Sequence, residues 1–416
     1  LERINRMLSF LKENYRWIGG GFLLTYFSSF GQTFFIASSV AEWQAQFGLS
    51  HGGFGALYFM ATLGSALLLP FVGRLVDIIP EHKVIAVVVP ILALASLMAA
   101  FASSLIMLTL AIFLLRLFGQ GMMTHIALTA TGRWFAAQRG RAVSLVVMGH
   151  QGGEATLPLA FVAVGMAFGW QAGWIAGSIA MLLIALPLGV WAYRTPRLPK
   201  GQSEKTTTKV REWTRNEVLK DPIFWLILTG TLAPPFIGTT IFFHQDYLTT
   251  LREWPPQLFA QGLSVMAITT VTCALLNGAI IDRYGAKSVL PFFLLPLSAA
   301  CFAVAFSDTA PTLFFFMFLL GISYGISATL FGALWPEIYG TKHLGAIRSV
   351  IVSAMVLATA IGPGITGALI DYGIDLPSQL FALGGYCLLT ALSMATASLI
   401  LRRRARKEAA GLEAIL

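Results

Sequence analysis

Apolar residues along this chain fall in blocks of about twenty, each closed by a short polar stretch. A helix rising 1.5 Å per residue needs roughly 20 apolar residues to cross the hydrocarbon of a bilayer. The pattern predicts twelve such spans, at 17–40, 52–76, 83–104, 106–132, 141–165, 170–193, 222–246, 257–281, 287–306, 311–334, 345–370 and 377–401. The third and fourth are separated mainly by Ala102-Ser103-Ser104. With no water in the hydrocarbon, backbone N–H and C=O groups must pair within each segment. The expected fold class is therefore an all-α membrane protein of twelve transmembrane helices.

The blocks repeat. Gly73-Arg74-Leu75-Val76-Asp77 returns 205 positions later as Gly278-Ala279-Ile280-Ile281-Asp282, Gly140 returns as Gly345, and Pro158 as Pro363. A repeat of that length implies two homologous halves. The expected organisation is a six-helix bundle over 1–193, a linker over 194–221, a second, pseudo-symmetric six-helix bundle over 222–401, and a basic tail over 402–416. Parallel halves in a membrane chain point to a secondary transporter working at the seam between them.

Composition and charge sharpen this reading. The chain is 56% hydrophobic and 11% charged, with a mean hydropathy of +0.75, where a soluble domain carries about 25% charged residues. Apart from Arg116 and Arg252, the Lys and Arg lie in the two tails, in the loops after even-numbered spans, or close to those loops. The positive-inside rule then places both termini and the linker in the cytoplasm of a plasma (inner) membrane protein. The formal charge of +9 is thus a topology signal and does not suggest nucleic-acid binding. The run Arg402-Arg403-Arg404-Ala405-Arg406-Lys407 reads as a stop-transfer anchor, with anionic lipid as the alternative partner. Gly201 to Lys209 reads as a flexible tether between the halves, followed by a short surface helix around Val210–Leu219. Cys273, Cys301 and Cys387 lie in apolar spans without metal-ligand spacing. The basic tail before the first span has no small-residue cleavage site behind it, so no cleavable signal is expected.

Gly278 to Asp282, followed by Arg283, Gly285 and Lys287, resembles the loop motif of the major facilitator superfamily, and the likeness extends over essentially the whole chain. The first copy keeps Gly73 and Asp77 but has Pro80 and Lys83 where the pattern continues with glycine and basic residues. The resemblance implies gating roles for Gly73, Asp77, Gly278 and Asp282: glycine permits close helix approach, and an aspartate near a helix N-terminus or an arginine can latch one conformation. Trp134-Phe135, Arg139-Gly140-Arg141-Ala142, Gly149 and Gly152-Gly153 resemble the monocarboxylate and oxalate/formate branch, as does the run from Ser28 to Phe35. That branch usually carries a basic residue in helix eight. This chain has none between Pro256 and Asp282, and helix eleven has only Arg348, near its cytoplasmic end.

Ionisable residues inside a span are costly and are functional candidates by default. Two lie deep: Arg116 in helix four and Glu154 in helix five. Each is about ten residues from the outer end of its helix, so at 1.5 Å per residue they share a depth, and the expectation is that they interact. A permanent structural pair is one reading. The other is a pair that opens when Glu154 takes a proton or an anion claims Arg116, which links protonation to substrate binding because a buried lone charge is expensive. Arg116, Gly119 and Gly121 also match the superfamily's Arg-x-x-Gly-x-Gly motif in helix four, which implies proton coupling. His150 lies one turn before Glu154 on the same face, and His125 lies nearer the cytoplasm; each is either a proton relay or a hydrogen-bond partner for a neighbouring helix. The proton-coupling set is therefore Arg116, His150 and Glu154. The substrate-binding set is Gln32, Arg116, Gln151, Asn277 and Tyr324, with Pro234-Pro235 bending helix seven.

Met123-x-His125 and Met148-x-His150 offer a thioether–imidazole set suited to Cu(I), although residues two apart do not share a helix face. No His-Glu-x-x-His run, Gly-x-Ser-x-Gly elbow or phosphate-binding loop is present. The expectation is a non-enzyme without cofactor or bound metal: a monomeric, proton-coupled transporter of a small organic anion such as a monocarboxylate. Proton-coupled efflux of a drug or metabolite is the alternative, and a copper importer, membrane enzyme or sensor are minor ones.

Overall fold

The computed structural model describes residues 2–49, 51–197 and 211–413. Among these the chain is helical throughout, with no strand. The long helices are α1 (Glu2–Phe27), α2 (His51–Val72), α3 (Glu81–Ala100), α4 (Leu105–Trp134), α5 (Arg139–Phe168), α6 (Trp170–Tyr193), α7 (Pro222–Phe243), α8 (Pro256–Tyr284), α9 (Leu295–Phe306), α10 (Ala310–Tyr339), α11 (Leu344–Asp371) and α12 (Leu376–Glu413). Nine helices among the described residues are long and apolar enough to cross a membrane. The three outside that set have physical reasons to be. The first span is broken near its middle, α5 carries His150, Gln151 and Glu154, and α9 is only 12 residues long. Pro291 and Pro296 supply no backbone N–H there, and the chain between Val289 and Leu295 runs as turns. Large apolar side chains such as Ile106, Met166 and Leu183 stay exposed, as lipid-facing positions do.

The chain forms two compact units. The first contains residues 1–136, 145–200 and 344–353; the second contains 137–144, 201–343 and 354–416. The opening turns of α11 thus pack with the first unit and the segment entering α5 with the second. In the linker, the helix Arg215–Lys220 starts on a capping box: Thr214 Oγ1 accepts from Glu217 N, and Glu217 Oε2 accepts from Thr214 N at 2.8 Å. The expected tether over Gly201 to Lys209 lies outside the described residues, as do the side chains of Arg406 and Lys407 in the basic run.

Within the first unit the defining irregularity is in the first span. After α1, Ser28–Gly31 forms a 3-10 turn, Gln32 is extended at φ −83° and ψ 153°, and helix resumes at Thr33–Ile36. The local sequence favours this break. Ser28 Oγ donates back to Thr25 O at 2.6 Å, a side-chain bond that competes with the helical ladder. Gly31 then lets α4 approach: a Cβ there would lie 2.2 Å from Leu115 O and 2.7 Å from Gly119 Cα. The facing part of α4, Leu115–Met123, is wound as a π-helix, a form that often accompanies function. On the other side, Gly149 and Gly153 of α5 press against α1, where added Cβ atoms would meet Phe22 O at 2.1 Å and Ser29 Oγ at 2.2 Å. This four-residue glycine spacing lets membrane helices pack backbone to backbone.

Candidate functional site

The break in the first span assembles the polar centre of the first unit. Extending Gln32 withdraws Gly31 O from the regular helical ladder, and Arg116 takes it. The Arg116 side chain is fully buried, and its Nη1 donates to Gly31 O and to Thr33 Oγ1, each at 3.2 Å. Thr33 Oγ1 shares a 2.8 Å hydrogen bond with the Tyr58 hydroxyl on α2, and the guanidinium lies 5.4 Å from the centre of the Tyr58 ring. A hydrogen bond from a charged donor contributes about 1.5–3 kcal/mol, so Arg116 fastens α4 to the broken first span. Substituting Gly31→Ala is expected to cost about 1–3 kcal/mol, because the added methyl meets α4 backbone rather than a movable side chain. A melting temperature equal to wild type would contradict this.

The partner expected for Arg116 was Glu154, and the structure brings different groups together. The electrostatic partner of Glu154 is His150, one turn earlier on α5, while Arg116 engages Gly31, Thr33 and Tyr58. The His150 ring stands 6.1 Å from that of Phe34, just past the break. Spacing along two helices carries no azimuth, and the extended turn at Gln32 supplied acceptors that no helical pattern contains. Gln32 and Gln151 are half-buried, each next in sequence to one of these residues, Gly31 and His150. Gln120, one turn after Arg116, has a buried Oε1 without a hydrogen-bond partner among the described residues; its place in a buried apolar span was the available signal for it. His125 lies elsewhere. Its Nε2 is 3.0 Å from Gly73 O, and Arg348 is a charged neighbour.

In the second unit, Asn277 Nδ2 donates to Ile326 O at 3.2 Å, joining α8 to α10. The Tyr324 hydroxyl reaches Pro234 O at 3.4 Å and rests on Gly238, where a Cβ would fall 1.4 Å from the hydroxyl oxygen. Tyr324 is the repeat counterpart of Gly119, and Gly238 that of Thr33. Each half therefore ties its fourth helix to its first, by a guanidinium in one and a phenol in the other.

The repeated loop aspartates each meet a helix N-terminus. Asp77 accepts from Gly345 N at 2.7 Å and Ala346 N at 2.6 Å, and pairs with Arg133, which also bonds Val76 O at 2.9 Å. Asp282 accepts from Gly140 N at 2.7 Å and Arg141 N at 3.2 Å, with Arg141 Nε 3.1 Å away. The glycines lie beneath these caps: a Cβ on Gly73 would lie 2.4 Å from Ser349 Cβ, and one on Gly278 2.8 Å from Ser144 Oγ. Ser349 and Ser144 are themselves repeat counterparts. The missing second glycine of the first copy has a local explanation. Gly285 adopts φ +80°, open mainly to glycine, whereas Pro80 at the equivalent place has φ −54° and turns the chain in extended geometry. Arg133, separated from Asp77 by the third and fourth spans, had no signal in the spacing. A carboxylate at a helix N-terminus contributes up to about 2 kcal/mol in partly buried geometry. Asp77→Asn and Asp282→Asn are each expected to lower thermal stability by about 1–2 kcal/mol, and additively, since they share no partner. A subadditive double variant would show that the two caps are coupled.

The sequence profile of the Major Facilitator Superfamily matches residues 22–255 and 238–415. Over 270 residues the chain is 24% identical to the oxalate:formate antiporter of Oxalobacter formigenes, a match covering 60% of each protein. The chain thus spans about three fifths of that curated relative. The human organic anion transporter MFSD10 is similar in structure, with a TM-score of 0.70 at 14% identity over 92% of this chain and 99% of the other. A bacterial homologue of the iron transporter ferroportin, in an outward-facing state, gives 0.69 at 16% identity over 94% and 99%. These two likenesses speak for the fold. Profile, repeat and helical architecture agree: the chain belongs to the Major Facilitator Superfamily and is a multi-pass membrane transporter, not an enzyme.

Proposed function

We propose that this transporter moves small organic monoanions across the plasma membrane by proton-coupled alternating access, as a monomer with both termini in the cytoplasm. The observation that carries the reading is the buried guanidinium of Arg116 at the break in the first span. Broken membrane helices border substrate sites in many transporters, and a planar fork of donors suits a carboxylate. Gln32, Gln151 and Gln120 border the same region, with Asn277 and Tyr324 as proposed contributors from the second half. The curated relative is named for oxalate and formate, which are organic acids. Glu154 with His150 serves as the proton site. A proton there removes a negative charge from the neighbourhood of an arriving anion, which links the two binding events. Release and re-formation of the Asp77 and Asp282 caps is the proposed gating step.

One deep cation in the spans favours one carboxylate. A dicarboxylate would bring a second charge without a fixed partner, at a cost of roughly 3 kcal/mol in the membrane interior. The test is a thermal-shift panel on detergent-purified protein, with formate, acetate, lactate, oxalate, a cationic drug and Cu(I). Stabilisation by monocarboxylates in preference to oxalate supports the reading. Stabilisation by the cation or the metal alone would replace it with efflux or copper import.

A further inference from the structure

A second candidate site lies within the second unit. A cavity of about 520 Å³ is lined by Leu251, Arg252, Phe306, Asp375, Ser378 and Phe381, with Ala305 and Pro377 completing the wall. Its volume is in the range of small-ligand pockets. Arg252 is the one basic residue in the loops that the charge bias assigns to the exterior, so topology does not explain it.

The two charged groups are each anchored with capacity to spare. Arg252 Nη2 donates to Val304 O at 2.9 Å, at the C-terminal end of α9. Its Nε is buried and has no hydrogen-bond partner among the described residues. Asp375 Oδ1 accepts from Ser378 N at 2.8 Å, at the start of α12. The Ser378 hydroxyl and backbone N–H, with a smaller contribution from Arg252, hold this carboxyl below its usual range, so it stays charged at neutral pH. Arg252 and Asp375 form no ion pair within 4.0 Å among the described residues. Opposite charges thus line one cavity without closing on each other. The remaining wall is apolar and open: Phe306 is 75% exposed and Phe381 51%, their rings in edge contact at 5.5 Å. Exposed aromatic surface next to interfacial charge is the arrangement that meets headgroup and chain together.

We infer that this cavity binds a zwitterionic phospholipid with a primary ammonium headgroup, its phosphate on Arg252, its ammonium on Asp375 and an acyl chain along Phe306 and Phe381. An arginine fork suits phosphate. A primary ammonium has three donors for a carboxylate, whereas a quaternary one has none. The inference is independent of the transported substrate.

The test is native mass spectrometry of the full-length protein with equimolar phosphatidylethanolamine, phosphatidylcholine and phosphatidylglycerol. Phosphatidylethanolamine is expected to be retained preferentially, with Arg252→Gln and Asp375→Asn each lowering its retention about tenfold, the loss of one charge-assisted contact. Equal retention of the three lipids, or no effect of either substitution, overturns the proposal. Displacement by an equal concentration of soluble glycerophosphoethanolamine overturns the lipid assignment. Where a variant does not fold, hydrogen exchange on the wild type decides: phosphatidylethanolamine must protect residues 249–254 and 374–381 more than phosphatidylcholine does, and equal protection refutes the site.

Discussion

Arg116→Leu is expected to lose about 3–5 kcal/mol of stability and all measurable carboxylate binding. The stability loss follows from the two hydrogen bonds of the guanidinium, each about 1.5–3 kcal/mol when the donor is charged, and from leaving Gly31 O in an apolar span. The binding loss follows from the proposed counter-charge. These effects separate in Arg116→Lys, which keeps the charge but has no planar fork and so cannot serve Gly31 O and Thr33 Oγ1 as the guanidinium does. If Arg116 is only a fastener for the broken span, Arg116→Lys should lose stability while its residual folded population binds formate like wild type. If it also meets the substrate, affinity should fall in Arg116→Lys even where the fold survives. Melting temperature and ligand-induced shift on the same detergent preparations read both quantities. Wild-type behaviour in Arg116→Leu would remove Arg116 from both roles.

The architecture was legible because membrane physics leaves few choices. Apolar blocks of spanning length lead to helices, and the helices lie where the blocks do. Partnerships were harder to read. Arg116 and Glu154 stand out in the sequence by burial cost, yet their neighbours depend on how α4 and α5 are rotated. Both helices are irregular or tightly packed there: α4 is π-wound over Leu115–Met123, and α5 is pressed on α1 through Gly149 and Gly153. A period of 3.6 residues says nothing reliable across a π-turn. The acceptor that Arg116 found, Gly31 O, exists because Ser28, Ser29 and Gly31 let the first span break. The serines and glycine were visible in sequence, but the break also required Gly119 opposite.

The two sequence repeats carry both like and unlike chemistry at counterpart positions. Both keep the aspartate cap on a helix N-terminus, with counterpart residues at Asp77 and Asp282, Gly345 and Gly140, and Ser349 and Ser144. Both tie the fourth helix of the half to the first. The halves differ in the chemistry of that tie. A guanidinium in the first half can serve an anion as well as a backbone carbonyl, whereas the Tyr324 phenol in the second is neutral. The aspartate-cap geometry is thus duplicated, while Arg116 and Glu154, the charged residues near the middle of the spans, both belong to the first repeat.

Glu154→Gln tests what that charge is for. The amide keeps the size and hydrogen-bonding reach of the carboxyl group but cannot exchange a proton. With Glu154 as the coupling site, proteoliposomes of the variant should fail to accumulate formate or lactate against a gradient when the bath is acidified. Unlabelled substrate inside should still exchange for labelled substrate outside at a rate within about threefold of wild type, a barrier change of no more than about 0.65 kcal/mol. Loss of both activities together would assign Glu154 to folding or to the substrate pocket. Retention of both would move the coupling proton elsewhere, and His150→Gln is then the informative variant, because His150 is the electrostatic partner of Glu154 on α5. If the two act as one proton site, the double variant should be no worse in exchange than Glu154→Gln alone, whereas independent roles would make the losses multiply.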